Sequence, residues 1–415
     1  MNNLTLFPNF TISDLDRSRN ILITGGPGVG MSKYLLDLIY QDITSERPII
    51  IFDRYGDLIE EILSYSAKEI QQKIAYIDLG NKDYPVGLNL FEDKGEGTRE
   101  NISNFLINLM YNLYDPNRTG VIGPRFEHAV RNAVSTIIYD EKSSFLELLR
   151  CLTDSEYVKK VLPKVSDPVV QNYWNKQVTQ TSDFHKSEIL DYIVSKLSIF
   201  VTDKMMRSIL CQSKSSINFF SLVSDNKIIL FNFGNLRQYS DANKVITSIL
   251  LYKLMNELKK NRVNTPINLF IDEAVSWPAT FITEMLTENR RYGVNLVVTT
   301  NKISEANTPL KRTLLKTGSV ISFRLSSSDA EIIAPEYHNN KITIDSLCLL
   351  KKYHAYIKSL QDGDVVIKDE PVDFKKEHIA LDSNKERNDE IKKQSQQKYG
   401  VNLKEVEEDI QNRMK

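Results

Sequence analysis

One segment near the start of the chain constrains the fold more than any other. Residues 20–24 form a short apolar run that is typical of a buried strand, and residues 34–43 carry apolar side chains at helical spacing. Glycines between a strand and a helix let backbone N–H groups turn inward around an anion, and the helix start adds partial positive charge. The segment therefore predicts a phosphate-binding loop. Its residues are Gly25, Gly26, Pro27, Gly28, Val29, Gly30, Met31 and Ser32.

The loop departs from the pattern GxxxxGK[ST] at one position. Ser32 falls where a hydroxyl ligand for Mg²⁺ is needed, but Met31 occupies the place of the lysine that contacts the β and γ phosphates. Lys33 lies about 200° around the helix from position 31 and does not easily replace that lysine. Two explanations of Met31 stay open: a natural site with weak hydrolysis, or a deliberate lysine-to-methionine substitution that traps nucleotide. We assign the loop together with Lys33 to nucleotide binding.

A second motif lies far along the chain, where an apolar strand at residues 269–271 ends in Asp272 and Glu273. In a mainly parallel sheet this strand end and the phosphate loop lie at the same edge. Asp272 is then suited to hold Mg²⁺ together with Ser32, and Glu273 is suited to polarise an attacking water. Many strands end in acids at a turn, so the motif is weak by itself. Its coupling to the loop indicates nucleotide chemistry.

Two further polar groups end neighbouring elements. Asn301 follows a predicted strand at 295–300, where its amide is suited to sense the γ-phosphate. Arg291, or Arg290 beside it, ends the preceding helix and is suited to reach the phosphate of a neighbouring subunit, because the planar guanidinium binds two phosphate oxygens at once. The general preference for cations at helix C-termini accounts for either arginine equally well.

Strand and helix patterns alternate at both ends of the sequence and stop in the middle. Alternating strands and helices predict an α/β fold with a mainly parallel sheet covered on both faces, and the middle predicts a mostly α-helical insertion. We place the first part of the nucleotide-binding α/β domain at 1–95, the inserted helical domain at 96–224, the second part of the α/β domain at 225–373, and a charged, partly disordered tail at 374–415.

Composition excludes several classes of protein. Lys plus Arg is 53 and Asp plus Glu is 54, so a globally basic nucleic-acid binder is excluded, although a local basic surface is not. No run of about 18 apolar residues and no signal-like N-terminus is present, so no membrane span or secretion is expected. The three cysteines are far apart and predict reduced thiols. We expect a cytoplasmic protein that partner proteins recruit, where the system needs it, to the inner face of a membrane.

Several segments together resemble the HerA/FtsK superfamily of P-loop motors, and within it the conjugative coupling and type IV secretion ATPases of the TraG/TraD kind. The resemblance runs from about residue 19 to residue 368, and the order and spacing of its segments are more specific than any one of them. Besides the phosphate loop, these segments are FDRYGDL at 52–58, DYPVGLNL at 83–90, GPRFE at 123–127, FIDEA at 270–274, RYG at 291–293 followed by TN at 300–301, and 318–324.

The resemblance implies a RecA-like P-loop NTPase core with an inserted mostly α-helical domain, assembled as a homohexameric ring with DNA in its pore. It implies ATP and Mg²⁺ as ligands, Ser32 and Asp272 as Mg²⁺ ligands, Glu273 as catalytic base and Arg291 as the arginine supplied to a neighbour. Asn301 stands where the family usually has glutamine. Relaxase or secretion-channel proteins are the implied partners, and no N-terminal membrane anchor of the kind that many coupling proteins carry is expected.

Three functions compete at this point. The leading hypothesis is an ATP-driven motor that moves single- or double-stranded DNA without sequence preference, with hydrolysis impaired by Met31. The second is a nucleotide-binding scaffold or docking ring without turnover. The third is a protein-export or genome-packaging ATPase of the same fold. Comparing ATP hydrolysis with and without a Met31→Lys change separates the first two.

Overall fold

The computed structural model describes residues 3–8, 10–65, 68–93, 95, 97–178, 191–225, 227–261, 265–373 and 385–415. The chain divides into two compact units. The first comprises Met1–Leu79, Phe219–Arg237 and Leu254–Gln396, and the second comprises Gly80–Asn218, Gln238–Lys253 and Gln397–Lys415. Every strand named below belongs to the first unit.

The first unit is built on a nine-stranded sheet and a separate hairpin. The strands are β1 (Leu4–Phe7), β2 (Phe10–Ile12), β3 (Ile21–Thr24), β4 (Ile49–Asp53), β5 (Ile74–Asp78), β6 (Ile228–Asn232), β7 (Ile267–Ile271), β8 (Val294–Thr300), β9 (Ser319–Ser322), β10 (His354–Gln361) and β11 (Asp364–Asp373). The sheet order is β11-β10-β9-β3-β8-β7-β4-β6-β5, and β1 and β2 form a separate two-stranded sheet.

The seven central strands, β3 to β9, are parallel to one another, whereas β10 is antiparallel to both β9 and β11. Every residue of these seven strands is buried. Residues 49–52 of β4, with the sequence IIIF, are all apolar because both faces of a parallel sheet are covered. The predicted α/β class with a mainly parallel sheet is confirmed.

Helices connect the strands of the first unit. They include Asp14–Arg17, Met31–Thr44, Asp57–Tyr65, Lys68–Gln71, Phe219–Ser224, Ala279–Glu288, Thr308–Leu314, Ser327–Ile333 and Ile344–Cys348, with short 3₁₀ turns at Ala274–Ser276, Asn289–Tyr292, Ile303–Glu305 and Ala334–Tyr337. The hairpin of β1 and β2 was not predicted. It is joined to the helix Met31–Thr44 by the Tyr34 hydroxyl, which donates to the Leu6 carbonyl over 3.1 Å.

The second unit is helical. Its helices include Thr98–Tyr114, Pro124–Ile137, Phe145–Thr153, Ser155–Val161, Pro168–Asn172, Ile199–Thr202, Lys204–Leu210 and Leu403–Met414, with Leu162–Lys164 as a 3₁₀ turn and Tyr173–Val178 as a π-helix. Residues 191–197 are also helical, and within 97–178 and 191–218 the described chain has no strand. The helix Ser240–Lys260 contributes residues to both units. The boundaries drawn at 96 and 224 stay a prediction.

The end of the chain, where a charged and partly disordered tail at 374–415 is predicted, contains two helices among its described residues. Residues 385–415 contain the helices Lys385–Tyr399 and Leu403–Met414, while 374–384 lie outside the described residues. Within the second unit, the buried Arg413 side chain donates to the Glu147 carboxylate over 2.8 Å. A buried charge is stable only when it is paired in this way. This ion pair joins the helix Leu403–Met414 to the helix Phe145–Thr153, and the partial disorder of the tail stays a prediction.

No helix in the described part of the chain combines the length and apolar character that a membrane crossing requires.

Candidate functional site

The carboxyl ends of the parallel strands bring the predicted site residues to one edge of the sheet. Thr24 at the end of β3 lies beside Thr300 of β8, and Ile271 at the end of β7 lies beside Val298 of β8. The phosphate loop follows β3, Asn301 follows β8, and the two acids follow β7. These three groups therefore occupy neighbouring positions along one sheet edge, within the first unit.

Backbone hydrogen bonds attach the start of the loop to the strands on either side. The Gly25 N–H donates to the Thr300 carbonyl over 3.3 Å, and the Gly26 N–H donates to the Arg324 carbonyl over 2.8 Å. The loop then turns through Gly28 with φ +71° and Gly30 with φ +109°. Both values lie in the left-handed region that glycine adopts without a steric penalty. Pro27 and Gly28 are exposed at the tip of the turn, and Val29 is buried.

The helix Met31–Thr44 begins directly after the loop, as expected, and its first three side chains go to three different environments. Met31 is only 8% exposed and belongs to the buried apolar cluster of the first unit. Ser32 is exposed at the helix start, where the hydroxyl ligand was predicted. Lys33 forms an ion pair of 2.8 Å with Glu61. Position 31 therefore contributes to the core, and the nearest lysine of the helix is engaged elsewhere.

Tyr353 contacts the loop, although sequence reasoning did not single it out. Its N–H donates to the Val29 carbonyl over 2.8 Å. A Cβ atom at Gly30 would lie 2.4 Å from Cδ1 of the Tyr353 ring, so the ring lies directly against the Gly30 backbone. This close approach is a second reason why position 30 requires glycine. No local pattern reveals such a contact, because it joins residues more than 300 positions apart.

A single threonine hydroxyl holds both acids that follow β7. The Thr299 hydroxyl donates to Oδ1 of Asp272 over 2.6 Å, and it accepts the Glu273 N–H over 2.9 Å. Glu273 has φ +56°, an unusual value for a residue other than glycine. Thr299 was also missed by sequence reasoning. Its signal was the polar end of β8, which pairing with β7 brings beside Asp272.

Burial makes both acids harder to ionise than in water. It raises the pKa of Asp272 to about 6, with a further contribution from the negative charge of Asp53 at the end of β4. It raises the pKa of Glu273 to about 7, with the neighbouring Asp272 charge as the second cause. The charges of Lys302 and Arg54 act on the Glu273 pKa in the opposite direction. A pKa near 7 suits a group that must take up a proton at neutral pH.

Asn301 and Trp277 border the acids. The Asn301 backbone N–H donates to Oε2 of Glu273 over 3.4 Å, so the residue predicted as a sensor lies next to the predicted base. The Trp277 indole N–H donates to the Asp272 carbonyl over 2.7 Å. Trp277 is buried and packs against Phe52 and Phe233, with ring centroids 5.7 and 4.6 Å apart respectively. These contacts fix the strand end that carries the acids.

Arg291 lies at the other edge of the sheet. It is in the 3₁₀ turn Asn289–Tyr292, which precedes β8, whereas the phosphate loop follows the carboxyl end of β3, the strand parallel and adjacent to β8. Its side chain is 77% exposed and pairs with Glu288 over 2.7 Å. Arg290 is exposed in the same turn. The structure therefore does not bring Arg291 to the loop of its own chain.

Asp272 and Ser32, the two predicted Mg²⁺ ligands, offer the oxygen atoms that Mg²⁺ takes at phosphate sites. Within the described residues, no group of three or more His, Cys, Asp or Glu side chains is arranged to hold a metal. Mg²⁺ at phosphate sites needs no such group, because it takes one or two carboxylates and completes its shell with water and phosphate. Burial raises the pKa of Asp272, and a cation bound nearby would lower this pKa because it stabilises the ionised carboxylate.

Together these observations define the fold of a RecA-like P-loop NTPase core: a mainly parallel sheet with a glycine loop and an acidic strand end at the same edge. No family model and no curated protein matches the sequence. Solved structures match it at the level of the fold. The plasmid coupling protein TrwB in complex with the GTP analogue GDPNP has a TM-score of 0.62 at 14% identity, covering 90% of this chain and 89% of TrwB.

Two other structures give the same result. TrwB in complex with ADP and Mg²⁺ has a TM-score of 0.61 at 14% identity, again with 90% and 89% coverage. VirB4 of Thermoanaerobacter pseudethanolicus has a TM-score of 0.59 at 13% identity, covering 84% of this chain and 88% of VirB4. The fold is therefore shared across nearly the whole length of these solved chains, and the resemblance drawn from the sequence holds at the level of the fold.

Proposed function

We propose that the protein is an ATP-dependent motor of the conjugative coupling and type IV secretion kind, which moves DNA. One observation carries this proposal: the glycine loop, Asp272 and Glu273 lie at one edge of the sheet, in a fold similar to those of TrwB and VirB4. A nucleotide and Mg²⁺ are the ligands that such an edge suits.

Each residue has a stated task in this proposal. The exposed backbone of the loop and the N-terminus of the helix Met31–Thr44 bind the phosphates. Ser32 and Asp272 hold Mg²⁺, which offsets phosphate charge when bound. Glu273 accepts a proton from the attacking water, and Asn301 orients the group that reacts. Thr299 keeps the two acids in place through its two hydrogen bonds.

We further propose that the working form is a homohexameric ring in the cytoplasm. The position of Arg291 supports an assembled site, because it is exposed and lies at the sheet edge opposite the loop of its own chain. A second copy would have to supply it. DNA would bind non-specifically through Lys and Arg contacts to phosphates, and relaxase or secretion-channel proteins would bring the ring to its membrane partners.

The experiment is steady-state phosphate release by the purified chain at one salt concentration, with and without single- or double-stranded DNA, in parallel with binding of fluorescent ATP. Tight Mg²⁺-dependent ATP binding that Ser32→Ala weakens, with DNA-stimulated release, supports the motor. The absence of ATP binding overturns it. Binding and release that DNA leaves unchanged point instead to a protein-export ATPase.

Met31 favours a second candidate, a nucleotide-bound docking ring without turnover. Its side chain is packed in the core, so the loop lacks the ammonium that stabilises phosphoryl transfer. The same assay separates the two candidates. ATP binding without measurable release, in wild type and with DNA present, identifies the docking ring.

A further inference from the structure

The loop needs a positive charge that the helix Met31–Thr44 does not provide. An ammonium at position 31 would contact the β and γ phosphates, but the side chain there is an apolar one in the core. Lys33 is held by Glu61 at 2.8 Å. A cation from another part of the chain would have to approach the loop from outside the helix.

The segment that precedes β10 makes this approach. The Tyr353 N–H donates to the Val29 carbonyl, and its ring lies against Gly30, at the point where the loop becomes the helix. Tyr353 has φ +64°, which bends the chain sharply as it crosses the loop. Two independent contacts, the backbone hydrogen bond to Val29 and the packing of the ring on Gly30, therefore hold the residues next to Tyr353 near the phosphate-binding backbone.

Lys352 places its ammonium on this ring. Its Nζ atom lies 4.9 Å from the centroid of the Tyr353 ring, in a cation–π contact, and the residue is exposed. The same ring therefore lies against the Gly30 backbone and in contact with the ammonium. An exposed cation–π contact is weak, so the flexible lysine side chain can exchange the ring face for phosphate oxygens at little cost.

Two other cations lie near the loop and fit less well. Arg324 offers its backbone carbonyl to the Gly26 N–H, which engages its main chain while its side chain stays exposed. Lys351 is exposed one residue before Lys352, and the structure describes no contact of its ammonium with the ring or the loop. Lys352 is the lysine whose ammonium a described contact brings to the residue that covers Gly30.

We propose that Lys352 supplies the positive charge for the β and γ phosphates that position 31 lacks. This assignment rests on the proposed nucleotide function. The assignment predicts that the Lys352 side chain reaches the loop from the segment before β10, across the Tyr353 ring, and replaces the lysine that position 31 of the helix lacks. Because an ammonium acts as a point charge with three donors, its partners are the terminal phosphates and not the adenosine.

The test compares fluorescent ATP and fluorescent AMP binding to the full chain, with Mg²⁺, in Lys352→Met, Lys352→Arg and the neighbouring control Lys351→Met. A hydrogen bond to a charged group is equivalent to about one to two decades of affinity. We expect Lys352→Met to weaken ATP binding by about tenfold or more and to leave AMP binding unchanged. Lys352→Arg should retain most of the ATP affinity, and Lys351→Met should bind as wild type does.

A double variant gives a second, independent readout. Adding Met31→Lys to Lys352→Met should restore ATP affinity, because the helix would then provide the missing ammonium. Wild-type ATP affinity in Lys352→Met, an equal loss in Lys351→Met, or a loss found in Arg324→Met alone overturns the assignment to Lys352 and leaves the nucleotide function standing. No ATP binding by the wild-type chain overturns both.

Discussion

Two sides of the candidate site use the same sheet edge in different ways. On the loop side, residues 25–33, the backbone makes the turn that phosphates need, while Met31 is buried in the core and Lys33 is paired with Glu61. On the acid side, Asp272, Glu273 and Asn301 lie together and the predicted side chains are all present. The loop side provides the backbone shape without a lysine at position 31 of its helix, whereas the acid side provides both its backbone and its predicted side chains.

This difference separates binding from chemistry. Backbone N–H groups and a helix N-terminus bind phosphate in the ground state without any lysine. Stabilising the transition state requires charge where negative charge develops, and that is what position 31 does not provide. The comparison therefore teaches that nucleotide affinity and turnover should respond differently to substitutions on the two sides.

The largest expected effect comes from Arg291, and it shows whether the site needs a residue from a second chain for turnover. In a Met31→Lys background, Arg291→Ala should lower turnover of the assembled ring by about a thousandfold, because an arginine supplied by a neighbour acts on the transition state. ATP affinity should stay near that of the parent. Phosphate release and equilibrium binding measure the two quantities, with Arg290→Ala as the matched control. Lost affinity with an unchanged rate would make Arg291 a ligand of its own chain's nucleotide.

The next effect isolates the acid side. Glu273→Gln in the same background should lower turnover by about a hundredfold or more, since the amide cannot accept a proton from water. ATP affinity should change little, and single-turnover phosphate release measures the chemical step. Glu305→Gln, an exposed acid that pairs with Lys302 over 3.0 Å, is the control. A rate equal to that of the parent would remove Glu273 from the role of base.

The loop side is tested by Met31→Lys alone. Turnover should rise by about tenfold or more, and DNA should raise it further, because the ammonium restores charge at the β and γ phosphates. The lysine stem can stay in the core while its ammonium extends to the surface, and the melting temperature should fall because an apolar contact is lost. Met31→Leu, which keeps the core apolar, should not raise turnover. Equal rates in wild type and Met31→Lys would contradict our account of this position.

The smallest effect comes from the ionisation of Asp272. With its pKa raised to about 6, only the fraction ionised at a given pH can bind Mg²⁺. Between pH 7.5 and pH 5.5 this fraction, and with it the Mg²⁺-dependent affinity for ATP, should fall about fourfold. Titration of fluorescent ATP at both pH values measures it, and Asp272→Asn should remove the dependence while weakening binding throughout.

The same pKa sets the sign of a stability change in the absence of Mg²⁺. The folded protein holds a proton on Asp272 at pH values where the unfolded chain has lost it, so the contribution to stability is full below about pH 4 and is lost as the pH rises through about 6. Thermal unfolding of wild type and Asp272→Asn across this range should diverge as the pH rises. Curves that stay parallel would show that burial does not raise this pKa.

Sequence patterns predicted the strands and helices of the core and the sheet edge that holds the site residues, because both follow from local rules. Apolar runs that end in glycine or acids predicted β3 and β7, and parallel pairing in the sheet then places the ends of these strands at one edge. Sequence patterns did not predict how position 31 is buried, nor that Tyr353 covers Gly30, because those contacts depend on packing between distant segments. Thr299 lies between these cases, since its role follows from the register of β7 and β8 rather than from its own neighbours.

Trp277 places an intrinsic fluorophore on the acid side of the site. The sequence contains two tryptophans, and the other, Trp174, donates its indole N–H to the Thr136 hydroxyl in the second unit. Trp174→Phe would leave one indole, hydrogen-bonded to the carbonyl of Asp272 itself. Emission from that indole reports on its hydrogen bond and on nearby charge, so nucleotide and Mg²⁺ arrival could be followed in real time in an unlabelled protein. The chain thus carries its own fluorophore at the residue proposed to hold the metal.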